Sequence, residues 1–400
     1  MKYREQLKYI KSHQEPEERK YKRKKKKRVG FLDKLLWRIL FLISVLFVLI
    51  MYYVDFFPIP YMIAAGGILL SILMIIIIMQ QRAIRSVKWK PRGKLIALLL
   101  IVVTGVGGFY LLKVNLAMDQ VAIGDKTGSY EEEQKIDVMT QPFNVYISGI
   151  DVYGEITKES RSDVNLIATV NPKTHKILLT TTPRDYYVLI PGVSNGMRDK
   201  LTHAGVYGID TSIATLEHLY NIEIPFYARV NFTSVIDIVD AMGGIDVESE
   251  VAFTTSKAAG TVVDIQEGWN HLNGKQALAF VRERKAFVDG DHQRGKNQQV
   301  LMGALIKKAI SPMILIQAND MIDGVVGNAE TNVSETQMKS LIEMQLNDLN
   351  GWEIETVAAS GDDSGKQYCY SYSGGPLYVC VPDEVQVESI RNKMQEYLGN

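Results

Sequence analysis

Long apolar runs dominate the first third of the chain, and shorter alternating or helical patterns fill the rest. Leu35–Val54 is interrupted only by Arg38, and neither Tyr61–Met79 nor Leu95–Leu112 carries a charge. At about 1.5 Å of rise per residue, each run approaches or matches a hydrocarbon core of roughly 30 Å. The pattern therefore predicts three transmembrane helices over about 35–54, 61–79 and 95–112. Lys113–Gln141 is polar and acidic and reads as a stalk.

From residue 142 onward the period changes. Phe143–Ile150, Val164–Val170, Lys176–Thr182, Phe226–Val230, Trp352–Ala359 and Leu377–Val381 read as strands, rich in β-branched and aromatic residues. Lys200–Tyr220 reads as a helix through Ile213, Leu216 and Leu219, and Thr233–Met242 as another, stopped by Gly243-Gly244. A helix over Gln298–Ile310 ends before Pro312, and more helix follows from Met313 and over Ser334–Leu349. Asp383 is placed to cap a final helix to Leu398. Alternating strands and helices predict an α/β domain over 142–400, a mixed central sheet with helices packed on it.

Charge divides the chain at the same place. Residues 1–94 carry 21 Lys/Arg against 6 Asp/Glu, and the remaining 306 carry 24 against 39, so a formal net charge of zero conceals a basic front and an acidic rear. The tail 1–34 includes a nearly unbroken basic tract, Lys20–Arg28, which reads as a juxtamembrane anchor for anionic lipid headgroups. The first connection, Asp55–Pro60, has no Lys or Arg, whereas 80–94 carries Arg82, Arg85, Lys88, Lys90, Arg92 and Lys94. By the positive-inside rule the N-terminus is cytoplasmic, and three spans put the acidic domain outside the cell membrane. An acidic outer domain disfavours nucleic acid as a partner, since counterion release needs a basic face. The two cysteines, Cys369 and Cys380, then lie in an oxidising compartment around Gly374-Gly375-Pro376, and a disulfide clipping a hairpin is expected.

Candidate chemistry gathers in short motifs. If Val281–Lys285 is extended, Arg282 and Arg284 point to one face, where paired guanidinium forks grip a phosphate group. If Asp291–Lys308 is helical, Asp291, Arg294 and Gln298 share one side. Asp151 follows the first strand, Arg161 and Asp163 precede the second, and Arg184 follows the third, so these residues can meet at one sheet edge. Asp151 and Asp163 could hold Mg²⁺, which takes one or two carboxylates and fills its shell with water and substrate phosphate. Arginines concentrated in an acidic domain call for an anionic ligand, and a pyrophosphate beside the membrane fits.

The motifs GID, RSD, TPRD, DKLTHA, NFTSVIDIVDAMGGIDV, LNGKQALAFVRER and GDHQRGKNQQ, spread over about Asn144–Ile310, resemble the LytR-CpsA-Psr family of cell-envelope glycopolymer transferases. Three spans before the domain look like its capsule-linked members. The resemblance implies transfer of a glycan from an undecaprenyl-pyrophosphate carrier to a peptidoglycan hydroxyl through a phosphodiester. It also implies Mg²⁺ on Asp151 and Asp163, pyrophosphate contacts from Arg161, Arg184, Arg282, Arg284 and Arg294, and polar site roles for Asp291 and Gln298. Asp291 or solvent would take the hydroxyl proton. The family's prenyl groove lies between sheet and helices, where Ile213–Leu219 and Val235–Val239 could line it or simply pack the core. The same site using water would make a lipid pyrophosphatase, and binding without turnover would make a membrane-bound sensor of lipid-linked precursors.

Overall fold

The computed structural model describes residues 5–6, 31–83, 90–121, 136–150, 160–287, 290–309, 329–347 and 351–399. It falls into two compact units, 1–50 with 60–108, and 51–59 with 109–400. The first is built from helices α1 (Phe31–Val54), α2 (Ile59–Ala83) and α3 (Lys90–Val121). All three are long and apolar enough to cross a membrane, and each begins a few residues earlier than the apolar runs alone suggest. α3 also continues into the expected stalk, whose remainder to residue 135 lies outside the described residues. Asp33 in the first turn of α1 pairs with Lys94 of α3 at 3.5 Å, so both helices start on the same side. Side chains such as Leu42 and Leu49 stay exposed along α1, as a bilayer requires.

The second unit contains, in chain order, β1 (Phe143–Ile150), β2 (Ser162–Asn171), β3 (Lys176–Thr181), α4 (Ile209–Tyr220), β4 (Phe226–Asn231), α5 (Phe232–Ala241), α6 (Gly274–Arg282), α7 (Gly290–Ala309), β5 (Ala329–Thr331), α8 (Glu335–Asn347), β6 (Glu353–Ala358) and α9 (Glu384–Leu398). The strands form one sheet in the order β5-β4-β1-β2-β3-β6. β1 and β4 run parallel, as do β3 and β6, while β2 is antiparallel to both its neighbours. The C-terminal ends of β1, β3, β4 and β6 and the start of β2 therefore share one edge, and that edge carries the site.

Alternation along the strands builds a core on each face. Tyr146, Ile167 and Leu178 pack with Leu216 and Tyr220 of α4 and Val387, Ile390 and Met394 of α9. Their neighbours Leu166, Ala168, Ile177 and Leu179 face the other way, toward Met302 and Ile306 of α7. Asn231 caps α5 and Asn273 caps α6, each in a reciprocal box with the residue three positions on. The two helices touch so closely that a Cβ on Gly274 would come within 2.2 Å of the Ile236 carbonyl oxygen.

Several sequence expectations change. Lys200–Tyr220 is not one helix. A short turn at Leu201–Ala204 gives way at Gly208, whose φ of 108° no L-residue side chain favours, before α4 begins. Val281 and Arg282 are helical rather than extended, because the Asn273 cap and the buried face of Ala277, Leu278, Phe280 and Val281 carry α6 through to Arg282. Ile213, Leu219, Val235 and Val239 pack in or against the cores, in keeping with one of the two readings of them. The helix expected from Met313 and the last residues of Ser334–Leu349 lie outside the described residues.

No disulfide joins Cys369 and Cys380, and both are buried thiols. The reason is register. In the ribbon Lys366–Cys369/Tyr372–Tyr378, Cys369 sits opposite Tyr372 at the closed end, while Lys366 opposite Tyr378 marks the open end, beyond which Cys380 lies. At roughly 3.4 Å per residue the two Cα atoms cannot reach the approximately 7 Å limit for a bridge. Burial, joined by the nearby Asp199 carboxylate, pushes the Cys369 thiol up to about 11. Reductant should therefore leave the melting temperature unchanged, and thiol labelling should be slow in the native protein and complete for both cysteines on unfolding. Failure of either thiol to label after unfolding without reductant would show a bridge.

Candidate active site

The shared sheet edge opens into a cavity of two lobes with a common wall of Asp163, Arg184, Arg294 and Gln298. One lobe, of about 130 Å³, is closed by Arg282, Arg284, Lys285, Phe232 and Ala259. The other is closed by Thr181, Thr182, Asp185, Ala358, Asp363 and Tyr378. Four of the five expected arginines thus meet, together with Asp163 and Gln298.

Each arrives by a traceable local cause. β1 and β2 pair Gly149 with Val164 but Ile150 with Ser162, leaving Asp163 as the extra residue of a bulge. A bulge re-aims a side chain, and here it turns Asp163 into the cavity. The buried hydroxyls beneath it fix the distortion: Ser162 Oγ donates to Val164 O at 2.9 Å, and Ser148 Oγ and Tyr146 OH lie 2.9 and 3.1 Å from Ser162 Oγ. The same bulge breaks the alternation between Arg161 and Asp163, and Arg161 is exposed and lines neither lobe.

Arg184, just past β3, donates from Nη1 to Asp163 Oδ1 at 2.9 Å, and its Nε lies 3.4 Å from Asp185 Oδ2. Lys200 Nζ donates to Asp185 Oδ1 at 2.8 Å, so a chain of opposite charges runs Lys200, Asp185, Arg184, Asp163. Arg294 and Gln298 stand one turn apart on α7. That helix is fastened by Asn297 Nδ2 donating to Phe280 O at 3.0 Å and Gln299 Nε2 donating to Val357 O at 2.5 Å. Asp291 is on α7, but its side chain, like the whole of Asp151, lies outside the described residues.

Arg282 and Arg284 reach one lobe without a strand. Arg282 ends α6 with its guanidinium 4.3 Å from the Phe232 ring centroid. Glu283 then turns extended, at φ −65° and ψ 133°, and delivers Arg284 to the same lobe. Glu283 itself is fully buried, and its carboxylate accepts the backbone N–H groups of Ser256, of Arg284 at 2.9 Å and of Ala286 at 3.0 Å. Burial would raise its pKa, but the hydrogen bonds led by that from Ser256 prevail and hold it below the ordinary value. Sequence reasoning missed Glu283, Asp185 and Lys200 as supports. The signal for Glu283 and Asp185 was an adjacent arginine inside RER and TPRD, and Lys200 of DKLTHA shows its role only once it is seen to pair with Asp185.

The described donors fit Mg²⁺ rather than a closed cage. No three His, Cys, Asp or Glu groups converge among the described residues, whereas Asp163 faces the cavity with one oxygen bonded to Arg184. A hard ion that keeps most of its water and takes substrate phosphate needs no more than one or two such carboxylates.

The LytR_cpsA_psr family model matches residues 110–396. A teichoic acid transferase, TagU of Bacillus mycoides (strain KBAB4), is 34% identical over 276 residues, 68% of this chain and 84% of that protein. TagV of Bacillus subtilis (strain 168) is 29% identical over 310 residues, 76% of this chain and 77% of its own. Among solved structures, B. subtilis TagV superposes with a TM-score of 0.54 at 28% identity, covering 65% of this chain and 98% of that one. TagT bound to LIIa-WTA superposes with a TM-score of 0.53 at 27% identity, covering 70% and 100%.

Proposed function

The chain belongs to the LytR-CpsA-Psr family, and on that premise we propose that this transferase moves a wall or capsule glycopolymer from an undecaprenyl-pyrophosphate carrier to peptidoglycan. The observation that carries the reading is the convergence of Arg184, Arg282, Arg284 and Arg294 on one cavity walled by Asp163 and Gln298. Guanidinium groups fixed around a diphosphate stabilise the charge that builds as its bridge breaks, without reorganisation at the moment of reaction.

The acceptor hydroxyl oxygen bonds to the glycan-side phosphorus and the bridging P–O bond breaks. The electron pair leaves with polyprenyl phosphate, and the hydroxyl proton is released to water. Arg282 and Arg284 hold the phosphate oxygens from one side. Arg184 and Arg294, in the common wall, meet the bridge. Asp163 would hold Mg²⁺, whose contribution when bound is to neutralise diphosphate charge.

The N-terminus is placed in the cytoplasm and the catalytic domain outside. The Asp33–Lys94 pair supports an odd number of passages, since helices that start together cross in the same direction, and the basic residues of 80–94 are what favour the cytoplasmic side for those starts.

The test uses the full-length protein in detergent micelles with Mg²⁺, a polyprenyl-pyrophosphate oligosaccharide and peptidoglycan fragments. Mass analysis should find the oligosaccharide joined to the fragment through one phosphate, with polyprenyl phosphate released. Release of free oligosaccharide phosphate alone, whether or not fragments are present, would identify a lipid pyrophosphatase instead, and binding without turnover would identify a sensor.

A further inference from the structure

The two lobes of the cavity differ in chemistry. The arginine lobe adds three cations, Arg282, Arg284 and Lys285, to the common wall. The second lobe adds no cation: it contributes the carboxylates of Asp185 and Asp363, the hydroxyls of Thr181 and Thr182, and the ring of Tyr378. Asp185 already pairs with Arg184 and Lys200, which leaves Asp363 as the carboxylate this lobe adds for a ligand: a diphosphate beside it would meet repulsion, whereas a neutral ring bearing hydroxyl groups would meet an acceptor. Tyr378 supplies an apolar face with a polar rim, since its ring is 38% exposed and its hydroxyl lies 3.2 Å from Asp363 Oδ2. Lys200 Nζ, 5.7 Å from the ring centroid, helps fix that ring.

The lobe does not end at Tyr378. The ribbon Lys366–Cys369/Tyr372–Tyr378 carries Tyr368 and Tyr372 outward, both exposed. It is tied to the segment bearing Arg184. Cys380 N donates to Asp185 O at 2.9 Å, Tyr187 OH to Tyr368 O at 2.8 Å, and Ser371 N to Asp199 Oδ2 at 2.8 Å. Tyr378 in the wall beside Arg184, with two further exposed tyrosines on the same ribbon, is suited to a chain of sugar rings. The donor's sugar already comes fixed to the diphosphate that the arginines hold. A separate polymeric acceptor brings no such anchor and must be positioned by contacts of its own.

We propose that the second lobe and the tyrosine-faced ribbon are the acceptor subsite, with the acceptor sugar stacked on Tyr378, hydrogen-bonded to Asp363, and its polymer laid along Tyr372 and Tyr368. This rests on the transferase reading above and gives a role to a segment in which the sequence showed none.

The test again uses the full-length protein in micelles, with the variants Tyr378→Ala, Tyr378→Phe and Asp363→Asn. KM is measured separately for the lipid-linked donor and for a saccharide released from peptidoglycan by lysozyme. Binding of that saccharide alone is read by saturation-transfer NMR. Tyr378→Ala and Asp363→Asn should each raise the acceptor KM about tenfold and shift the saturation-transfer titration to about tenfold higher saccharide, with kcat within about threefold and donor KM within about twofold. Tyr378→Phe, which keeps the ring, should retain most of the binding. An unchanged acceptor KM, or an equal rise in donor KM, would overturn the subsite. If wild-type protein binds the saccharide but yields no transfer product, the transferase reading fails while the subsite stands. If it transfers and the variants leave acceptor KM untouched, the subsite fails while the reading stands.

Discussion

Arg284→Ala is expected to lower transferase turnover by roughly a hundred- to a thousandfold, the loss typical of removing one fixed donor from developing oxyanion charge. Arg284 is exposed, ends no helix and lines the arginine lobe. Its removal should cost at most about 0.5 kcal/mol of stability, so the melting temperature should move by no more than about 2 °C. Arg284→Lys should recover only part of the activity, because an ammonium replaces a two-pronged fork with a point charge. Arg282→Ala should match the kinetic loss and add a stability cost of about 0.5–1 kcal/mol, since Arg282 also lies over the Phe232 ring. Steady-state turnover and thermal unfolding of the same preparations separate the two effects. Full turnover in Arg284→Ala would remove the arginine lobe from the reaction.

The second large effect belongs to Glu283, which does not itself line the cavity but holds the backbone of two residues that do, Ser256 and Arg284. Its side chain binds the backbone on both sides of the turn, at Ser256 and at Arg284 and Ala286. Hydrogen bonds to a charged acceptor are worth about 1.5–3 kcal/mol each, and buried N–H groups left without it incur a desolvation cost. Glu283→Ala should therefore destabilise the α/β domain by about 3–5 kcal/mol, a melting shift on the order of 10 °C. Turnover should fall even at temperatures where the variant stays folded, since Arg284 loses its tether.

The pH dependence has a definite sign. The folded pKa lies below the ordinary 4.5, so the contribution of Glu283 is complete above that value and is lost as pH falls through the folded one. The stability gap between wild type and Glu283→Gln should be largest near pH 7 and shrink as pH drops below about 4.5. Chemical denaturation across that range measures it. A gap independent of pH would show that the carboxylate's charge plays no part.

Much of the fold was legible because its signals are local. Apolar length marks the three spans, β-branched and aromatic residues mark Phe143–Ile150 and Lys176–Thr181, and Asp383 caps the final helix. Short ribbon strands such as Ile245–Ser249 and Gly268–Leu272 escaped, since each is held by its partner rather than by its own composition. The extended segment expected at Val281–Lys285 failed for a related reason. Two arginines spaced by one residue fit a strand, but the apolar face before them repeats at helical spacing and was buried against α5 and α7. The cysteines show the same limit. Two thiols in a turn-rich segment suggest a bridge, and the hairpin register that separates them is set by strand pairing.

The sequence by itself determined which residues could bind a diphosphate, because guanidinium and carboxylate chemistry resides in side-chain identity and is not altered by folding. It also marked three helices long and apolar enough to cross a membrane, because partition into a bilayer depends on the length of an apolar run. Only the tertiary structure decided which of those residues meet. The bulge at Asp163 brings it in and leaves Arg161 out, the buried Glu283 carries Arg284 round a helix end, and strand order puts the ends of β1, β3, β4 and β6 on one edge. Each depends on pairing between segments far apart in the chain, and register between distant segments has no counterpart in the local pattern of residues.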